Sequence, residues 1–425
     1  MIFIKDNSQM VFHARFQLPW WSKNSTGKII SPCPFYTYSK RHTSPMKKKL
    51  LSLTAKTTLA SLALIALPWT SAAHANLIDT DGDKLPDTWE ISGYDADGDG
   101  DIDIDFPAMG ANPYKKDLFV EMDWMPRADG GIELAPVEDL DRIVDVFATY
   151  PVRNPDGSTG INLHLDAGEA RGEKYNLGGG NQVEYNPLDN HLNDLATIKA
   201  QPGNFDPART GIFYYMIWAD LYSKNSSSGL AWTPGMDFLV TVGQTYYGRG
   251  NSNVRVGTFI HEFGHNLGLG HGGNDGVNYK PNYLSVMNYS YQFSGVPRQQ
   301  GPAYFGYSNR LGMTIDENAF LEARGLGPAS AGYTFTNRRF SLARVAAHKN
   351  LDLNMNGQID TAPIQVDLNN DGKYTQLTAP NDLLLMKFQS RKFAGGASLD
   401  EHEHEPHIHF NELTADDARE LGLIP

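Results

Sequence analysis

One sixteen-residue stretch holds the side chains whose types and spacing can do chemistry. Residues 258–273 read TFIHEFGHNLGLGHGG. Residues four apart lie on one face of a helix, so His261 and His265 can present two imidazole nitrogens to one metal ion. Gly268 can adopt backbone angles closed to other residues, which lets the helix end there and the chain turn back with His271. The spacing therefore predicts three histidine ligands for zinc.

Glu262 follows the first of these histidines and predicts a catalytic role for the metal. Three protein ligands leave tetrahedral zinc one open position for water, as in catalytic rather than structural zinc sites. Zinc lowers the pKa of such a water to about 7, so one carboxylate suffices as general base. The alternative, a helix with ordinary polar histidines, is disfavoured because Gly268 and His271 follow at fixed offsets.

The same helix must be anchored on a core. Val256, Ile260, Phe263 and Leu267 follow one another at spacings of four, three and four, which is the apolar stripe of a packed helix. We therefore expect the metal-binding face to point away from the core into a cleft.

The pattern HExxHxxGxxH resembles the signature of the metzincin metallopeptidases, and a second motif strengthens the resemblance. The sequence SVMNY at residues 285–289 is similar to the methionine turn of these enzymes. By resemblance, Met287 would form a packing floor beneath the metal. The Met-x-Tyr form is similar to that of astacins and serralysins, which implies that Tyr289 ligates the metal and then swings to the reaction intermediate. The resemblance covers roughly residues 117–295.

Another class of zinc peptidase, the gluzincins, takes its third ligand from a glutamate on a later helix. No Asp or Glu occurs between Asp275 and Asp316. His271 is therefore the better third ligand, and Asp275 stays a competitor.

The start of the chain has the features of an export signal. A basic segment at 46–49, an apolar run at 59–67 and small residues at 73–75 predict a signal peptide over 46–75 and a secreted product. Residues 1–45 are then a probable mis-assigned start. They contain Cys33, the only cysteine, so the processed chain has no disulfide. No segment approaches about 18 uninterrupted apolar residues, which argues against a membrane span.

The charge balance limits the partners. Residues 1–75 hold ten of the 36 Lys and Arg and one of the 49 Asp and Glu, which leaves 26 bases, 48 acids and a net charge of −22. This charge argues against nucleic acids and anionic membranes as partners. The resemblance to metallopeptidases implies protein or peptide substrates.

Four short acidic loops have the side-chain spacing by which calcium loops wrap their ion. Only the first loop has a glutamate at position 12, and acidic runs are often merely solvated turns. The first two resemble thrombospondin type 3 repeats, and the last two resemble dockerin calcium loops. The candidate ligands are Asp79, Asp81, Asp83, Asp87 and Glu90 in the first loop, Asp95, Asp97, Asp99 and Asp101 in the second, Asp352, Asn354, Asn356 and Asp360 in the third, and Asp367, Asn369, Asp371 and Thr375 in the fourth.

The pattern as a whole predicts an α+β fold, with a metzincin-like catalytic domain built on a twisted mixed β-sheet, an active-site helix and a methionine turn, flanked by calcium-binding loops. The expected strands are 117–125, 161–165, 212–218 and 238–242, and the expected helices besides the zinc helix are 137–150, 318–326 and 341–348. The expected organisation is a calcium-binding segment at 76–116, a peptidase domain at 117–300, a subdomain with calcium loops at 301–400 and an acidic, His-rich tail at 401–425.

The function indicated is a secreted, calcium-stabilised zinc endopeptidase in which Glu262 is the general base and Tyr289 stabilises the oxyanion. Two alternatives stay open. One is an exported calcium-dependent binding protein with an inactive protease fold, and the other is a zinc amidase acting on cell-wall peptides. Alternating Glu and His at 401–409 can hold a transition metal, although such tracts are usually solvated.

Overall fold

The computed structural model describes residues 77–127, 129–248, 250–336, 341–388 and 412–425, with the backbone alone at 341–344 and in two strands at 2–6 and 9–13. The chain divides into two compact units, residues 1–69 and 70–425. In the first, β1 (Ile2–Asp6) pairs antiparallel with β2 (Gln9–His13). The predicted signal peptide and the histidines at 402–409 lie outside the described residues.

The second unit contains the remaining elements. Its strands are β3 (Asp117–Trp124), β4 (Asn162–Asp166), β5 (Phe213–Trp218), β6 (Gly229–Ala231), β7 (Asp237–Val240), β8 (Ile315–Asp316), β9 (Thr334–Thr336), β10 (Ser341–Ala346) and β11 (Gln376–Leu377). Its α-helices are α1 (Asp87–Ser92), α2 (Phe106–Met109), α3 (Val137–Ala148), α4 (Leu192–Lys199), α5 (Gln244–Tyr247), α6 (Ser252–Asn266), α7 (Tyr289–Gln292) and α8 (Ala415–Glu420). Single 3₁₀ turns occur at Glu169–Arg171, Glu173–Tyr175, Pro207–Arg209, Glu322–Arg324, Pro328–Ser330 and Asp382–Leu384.

The central sheet has the strand order β4-β3-β5-β7-β6. Its first four strands are parallel, and β6 runs antiparallel to β7 at the edge. Every side chain of β3 and β5 is buried, because apolar residues cover both faces of the sheet. The predicted mixed sheet in an α+β arrangement is therefore confirmed, with strand ends shifted by one or two residues.

Helix α6 contains His261, Glu262 and His265 and lies against one face of the sheet. The side chain of Asn251 caps its first turn by accepting a hydrogen bond from the backbone of Val254 at 3.1 Å. The predicted apolar stripe is buried, and the ring centre of Phe263 lies 5.6 Å from that of Phe147 of α3. The helix ends at Asn266, and Gly268 has a φ of 87°, as the sequence predicted.

Two of the predicted helices are wrong. Residues 341–346 form strand β10, which pairs with β9, and residues 318–326 contain only a single 3₁₀ turn. The reason in the second case is tertiary, because the carboxylate of Glu322 accepts backbone hydrogen bonds from Leu353 at 2.8 Å and Asp360 at 2.8 Å. A short apolar pattern does not distinguish a helix from a strand.

Across the described part of the chain, no helix is both long enough and apolar enough to cross a membrane.

Candidate metal centre

The structure brings the three predicted histidines together. His261 and His265 project from the last turns of α6, and the turn after Gly268 returns His271 to the same point. The Nε2 atom of His265 lies 3.2 Å from Nε2 of His261 and 3.2 Å from Nε2 of His271. All three side chains are buried.

Hydrogen bonds on the far side of two rings fix which nitrogen carries the proton. Nδ1 of His261 lies 2.8 Å from the carbonyl oxygen of Val286, and Nδ1 of His265 lies 2.7 Å from that of Leu269. Carbonyl oxygens only accept hydrogen bonds, so each Nδ1 must donate and each neutral ring presents a bare lone pair at Nε2. Burial also lowers the pKa of His261, and that of His271 to about 4, so both rings stay neutral.

A fourth side chain, Glu412, enters this cluster from the end of the chain. Its Oε2 atom lies 3.0 Å from Nε2 of His261 and 3.3 Å from Nε2 of His271, and Oε1 lies 3.2 Å from Nε2 of His265. Sequence reasoning missed this residue, because it stands 151 positions after His261 and no spacing rule links the two.

The four side chains fit a bound zinc ion. The Nε2 lone pairs of His261 and His265 meet a carboxylate with no hydrogen atom between them, an arrangement that repels unless a cation stands at its centre. Tetrahedral zinc with bonds of about 2.0–2.1 Å has ligand atoms roughly 3.3–3.4 Å apart, close to the separations observed here. Three His and one Glu are also a ligand set that zinc accepts.

Glu262 lies beside this cluster and has no partner of its own. It is fully buried, and neither carboxylate oxygen makes a hydrogen bond. The position is made possible by Gly229 on β6, because a Cβ atom there would collide with Oε1 of Glu262. Burial, followed by the charge of Glu412, raises the pKa of Glu262 well above its usual range. A buried carboxylate without a partner is costly, which points to a ligand or a reaction.

Tyr289 and Met287 both lie near the histidines. The hydroxyl of Tyr289 donates to Oε2 of Glu412 at 3.2 Å, and its ring centre is 4.4 Å from that of His271. Met287 is buried against α6, where a Cβ atom on Gly264 would collide with its sulfur.

The competing ligand Asp275 is engaged elsewhere. Its carboxylate oxygens lie 3.0 and 3.1 Å from Nζ of Lys280, and one of them also accepts a hydrogen bond from the hydroxyl of Thr378. In the described residues, Asp275 does not belong to the cluster of His261, His265, His271 and Glu412.

The expectation that the metal-binding face opens into a cleft is wrong for this structure. The side chains of His261, Glu262 and His265 are buried, and Glu412 stands where an open coordination position was expected. The physical reason is that the segment leading into α8 covers the histidines, a contact that lies outside any local sequence pattern.

The four acidic loops share one backbone turn. In each, the amide of the sixth residue donates to the carboxylate of the first, and the sixth residue has a positive φ. The pairs are Lys84 with Asp79 at 3.0 Å, Gly100 with Asp95 at 2.9 Å, Gly357 with Asp352 at 2.8 Å and Gly372 with Asp367 at 3.0 Å. The sequence repeats therefore fold alike.

In the first loop the acidic side chains lie close together, and they include Asp117, which the sequence did not suggest as a ligand. Asp79, Asp81 and Asp83 converge, and Asp83 also joins Glu90 and Asp117, the first residue of β3. Both carboxylate oxygens of Glu90 and Oδ2 of Asp81 are buried without a hydrogen bond. Burial, followed by neighbouring acids, raises the pKa of Glu90 to about 10.

Asp87, a predicted ligand of this loop, bonds elsewhere. Its carboxylate accepts hydrogen bonds from the backbone of Thr80 at 2.7 Å and from the hydroxyl of Thr80 at 2.6 Å. Asp87 lies outside the two carboxylate groups of this loop in the described residues.

The other loops are more exposed. Asp95, Asp97 and Asp99 form a group in the second loop, and Asp101 is not part of it. In the third, Asp360 accepts hydrogen bonds from Asn354 and Asn356 at 2.7 and 3.0 Å. The remaining candidates of the fourth loop are distributed as follows: Asp371 accepts from the backbone of Lys373, the side chain of Asn369 is buried without a hydrogen bond, and Thr375 donates to Glu317.

Comparison with known proteins gives one match. Residues 211–272, from β5 to the third histidine, match the sequence profile of the metallopeptidase family M12B, reprolysin-like. The match supports a zinc-dependent metallopeptidase of the metzincin type, and a peptidase acts on proteins or peptides. No curated protein and no solved structure matches the chain.

Proposed function

We propose that the chain is a secreted zinc endopeptidase in which Glu262 is the general base. The observation that carries this proposal is a buried carboxylate without a hydrogen-bond partner, next to three histidines that converge on one point. A purely structural zinc site has no need of such a carboxylate.

The residues divide the chemistry between them. Zinc, when bound by His261, His265 and His271, supplies a Lewis acid that polarises the scissile carbonyl and acidifies water. Glu262 removes the proton from the attacking water and passes it to the leaving amine. The hydroxyl of Tyr289 donates a hydrogen bond to the negative charge that develops on the carbonyl oxygen and keeps its proton. The side chain of Met287 packs against α6 at Gly264.

Calcium is proposed as a structural ion. The first loop holds it between Asp79, Asp81, Asp83, Glu90 and Asp117, because acids that are this close repel unless a cation is present. Since Asp117 begins β3, this ion ties the first loop to the central sheet. Asp87 is replaced by Asp117 in this set, and the three exposed loops are weaker candidates.

Two other functions share parts of this architecture. An inactive binding protein would keep the fold and the calcium loops but would not require Glu262. A zinc amidase would use the same metal chemistry on cell-wall peptides. Secretion is consistent with all three functions and rests on the apolar and small residues of 46–75.

The test is cleavage of a mixed peptide library, read by mass spectrometry. Because Glu412 fills the fourth position, the chain without residues 1–75 is assayed both with Glu412 and as Glu412→Ala, each with and without Glu262→Gln. Defined cleavage sites that disappear with Glu262→Gln support the peptidase. Cleavage of cell-wall peptides alone would favour the amidase, and no cleavage by either Glu262-containing chain would favour the binding protein.

A further inference from the structure

We propose that residues 412–425, here called the C-terminal tail, are an inhibitory segment that closes the metal centre with Glu412 as fourth zinc ligand. The proposal rests on the zinc centre described above. It adds a residue and a regulatory state that the peptidase function does not itself require.

The tail is docked by backbone pairing at the edge of the central sheet. The amide of Ser228 donates to the carbonyl of Leu413 at 2.9 Å, and the amide of Ala415 donates to the carbonyl of Ser226 at 2.7 Å. Thr414 forms an antiparallel bridge with Ser227, just before β6. The tail thus pairs with residues 226–228, which lead directly into β6, the strand that contains Gly229, whose missing side chain makes room for Glu262.

Side chains hold the tail in this position. Leu413 and Ala418 are buried in the core that also contains α6, and Ala415 is buried as well. The guanidinium of Arg419 donates to the carbonyl of Tyr246 at 2.6 Å. Thr414 and Asp417 cap each other at the start of α8. These contacts hold Leu413 and the residues after it in place. The carboxylate of the preceding residue, Glu412, therefore lies against the histidines.

The docked carboxylate blocks two functions at once. Its Oε2 atom lies 3.0 Å from His261 and 3.3 Å from His271, where a water molecule must bind in an active zinc site. The same oxygen accepts the hydroxyl of Tyr289 at 3.2 Å, so this donor is not free for an oxyanion. Release of Glu412 restores both the open position and the donor.

The tail is a short terminal segment. Helix α8 spans only Ala415–Glu420, and the tail contributes no strand to the five-stranded sheet. The three histidines stand on α6 and on the turn after Gly268, outside the tail, so release of the tail removes Glu412 alone from the ligand set.

The first experiment measures hydrogen exchange of the tail in the full chain, with and without zinc. If Glu412 binds the ion, zinc slows exchange of the 413–420 amides by at least about tenfold, because tail opening must break a metal bond. The effect disappears in Glu412→Gln. It persists in Glu420→Gln, a matched change at an exposed glutamate of the same tail. Unchanged exchange in the wild-type chain on adding zinc overturns the proposal, whatever the activity.

The second experiment compares peptide cleavage by wild type and Glu412→Ala. We expect Glu412→Ala to be at least about tenfold faster. Equal rates of wild type and Glu412→Ala overturn the inhibitory role. If zinc protects the tail but neither chain cleaves any peptide, the peptidase function and its inhibition are refuted, while Glu412 as zinc ligand stands.

Discussion

Gly229 of β6 leaves the space that the carboxylate of Glu262 occupies, since a Cβ atom at residue 229 would collide with Oε1. The edge strand therefore sets the position of the proposed general base. This relationship joins two residues 33 positions apart in the chain.

Gly229→Ala should displace Glu262 and lower the turnover of the zinc-loaded protein by about 10²-fold, because misplacement by about 1 Å can cost that much. Zinc content, measured by metal analysis, should not change. The control is Gly243→Ala, whose Cβ atom would instead crowd the backbone of Asp220. Both variants lose some thermal stability, so turnover is compared per folded molecule. An equal loss of turnover in Gly229→Ala and Gly243→Ala would contradict a positioning role for Gly229.

His271→Ala should lose most of the bound zinc, because one of three histidine ligands is removed. Equilibrium dialysis against zinc measures this directly. Asp275→Ala is the control and should retain zinc, since Asp275 pairs with Lys280. The reverse result would show that the third histidine ligand is misassigned.

Tyr289→Phe should bind zinc normally and lose about 10²–10³ in kcat, with a smaller change in KM, because the hydroxyl acts on charge that develops in the transition state. The comparison is made in the Glu412→Ala background, where this hydroxyl is released from Glu412. Unchanged turnover would exclude Tyr289 as the oxyanion donor.

Calcium should raise the thermal stability of the zinc-loaded protein, and a calcium-selective chelator should remove the effect. An ion at about 100 times its dissociation constant contributes roughly 2.7 kcal/mol. Glu90→Gln and Asp117→Asn should abolish the response, and in chelator Glu90→Gln should melt higher than wild type because a buried acid is gone. Asp87→Asn should still respond, since Asp87 bonds to Thr80. Identical wild-type melts with and without calcium would remove this ion from the proposal.

Asp382 should make stability depend on pH near neutrality. It is buried, and burial raises its pKa from the ordinary 3.8 to about 7, while its carboxylate accepts hydrogen bonds from the hydroxyl of Tyr283 and from the backbone of Ser308. The folded protein thus binds a proton that the unfolded chain releases, so this contribution is present below about pH 4 and is lost as the pH rises through about 7. The slope is at most about 1.4 kcal/mol per pH unit.

The measurement for Asp382 is denaturant unfolding between pH 5 and 8. Asp382→Asn should show a flatter profile than wild type, because the titrating group is absent. Parallel profiles for the two proteins would contradict the raised pKa.

The sequence by itself determined the local part of the metal centre. Helical periodicity places His261, Glu262 and His265 within two turns, and Gly268 supplies the positive φ that ends α6 and returns His271. The buried stripe of α6 and four strands of the central sheet follow from equally local patterns, whereas the short edge strand β6 was not predicted. Spacing rules work there because the interacting residues are near neighbours in the chain.

Only the tertiary structure decided what completes and covers these sites. Glu412 reaches the histidines from 151 positions away through pairing at a sheet edge, and Asp117 joins Glu90 because β3 begins beside α1. Residues 341–346 are a strand because β9 offers a partner, although a helix was predicted. In each case the deciding contact joins segments distant in sequence, and its free energy is gained only when the chain has folded.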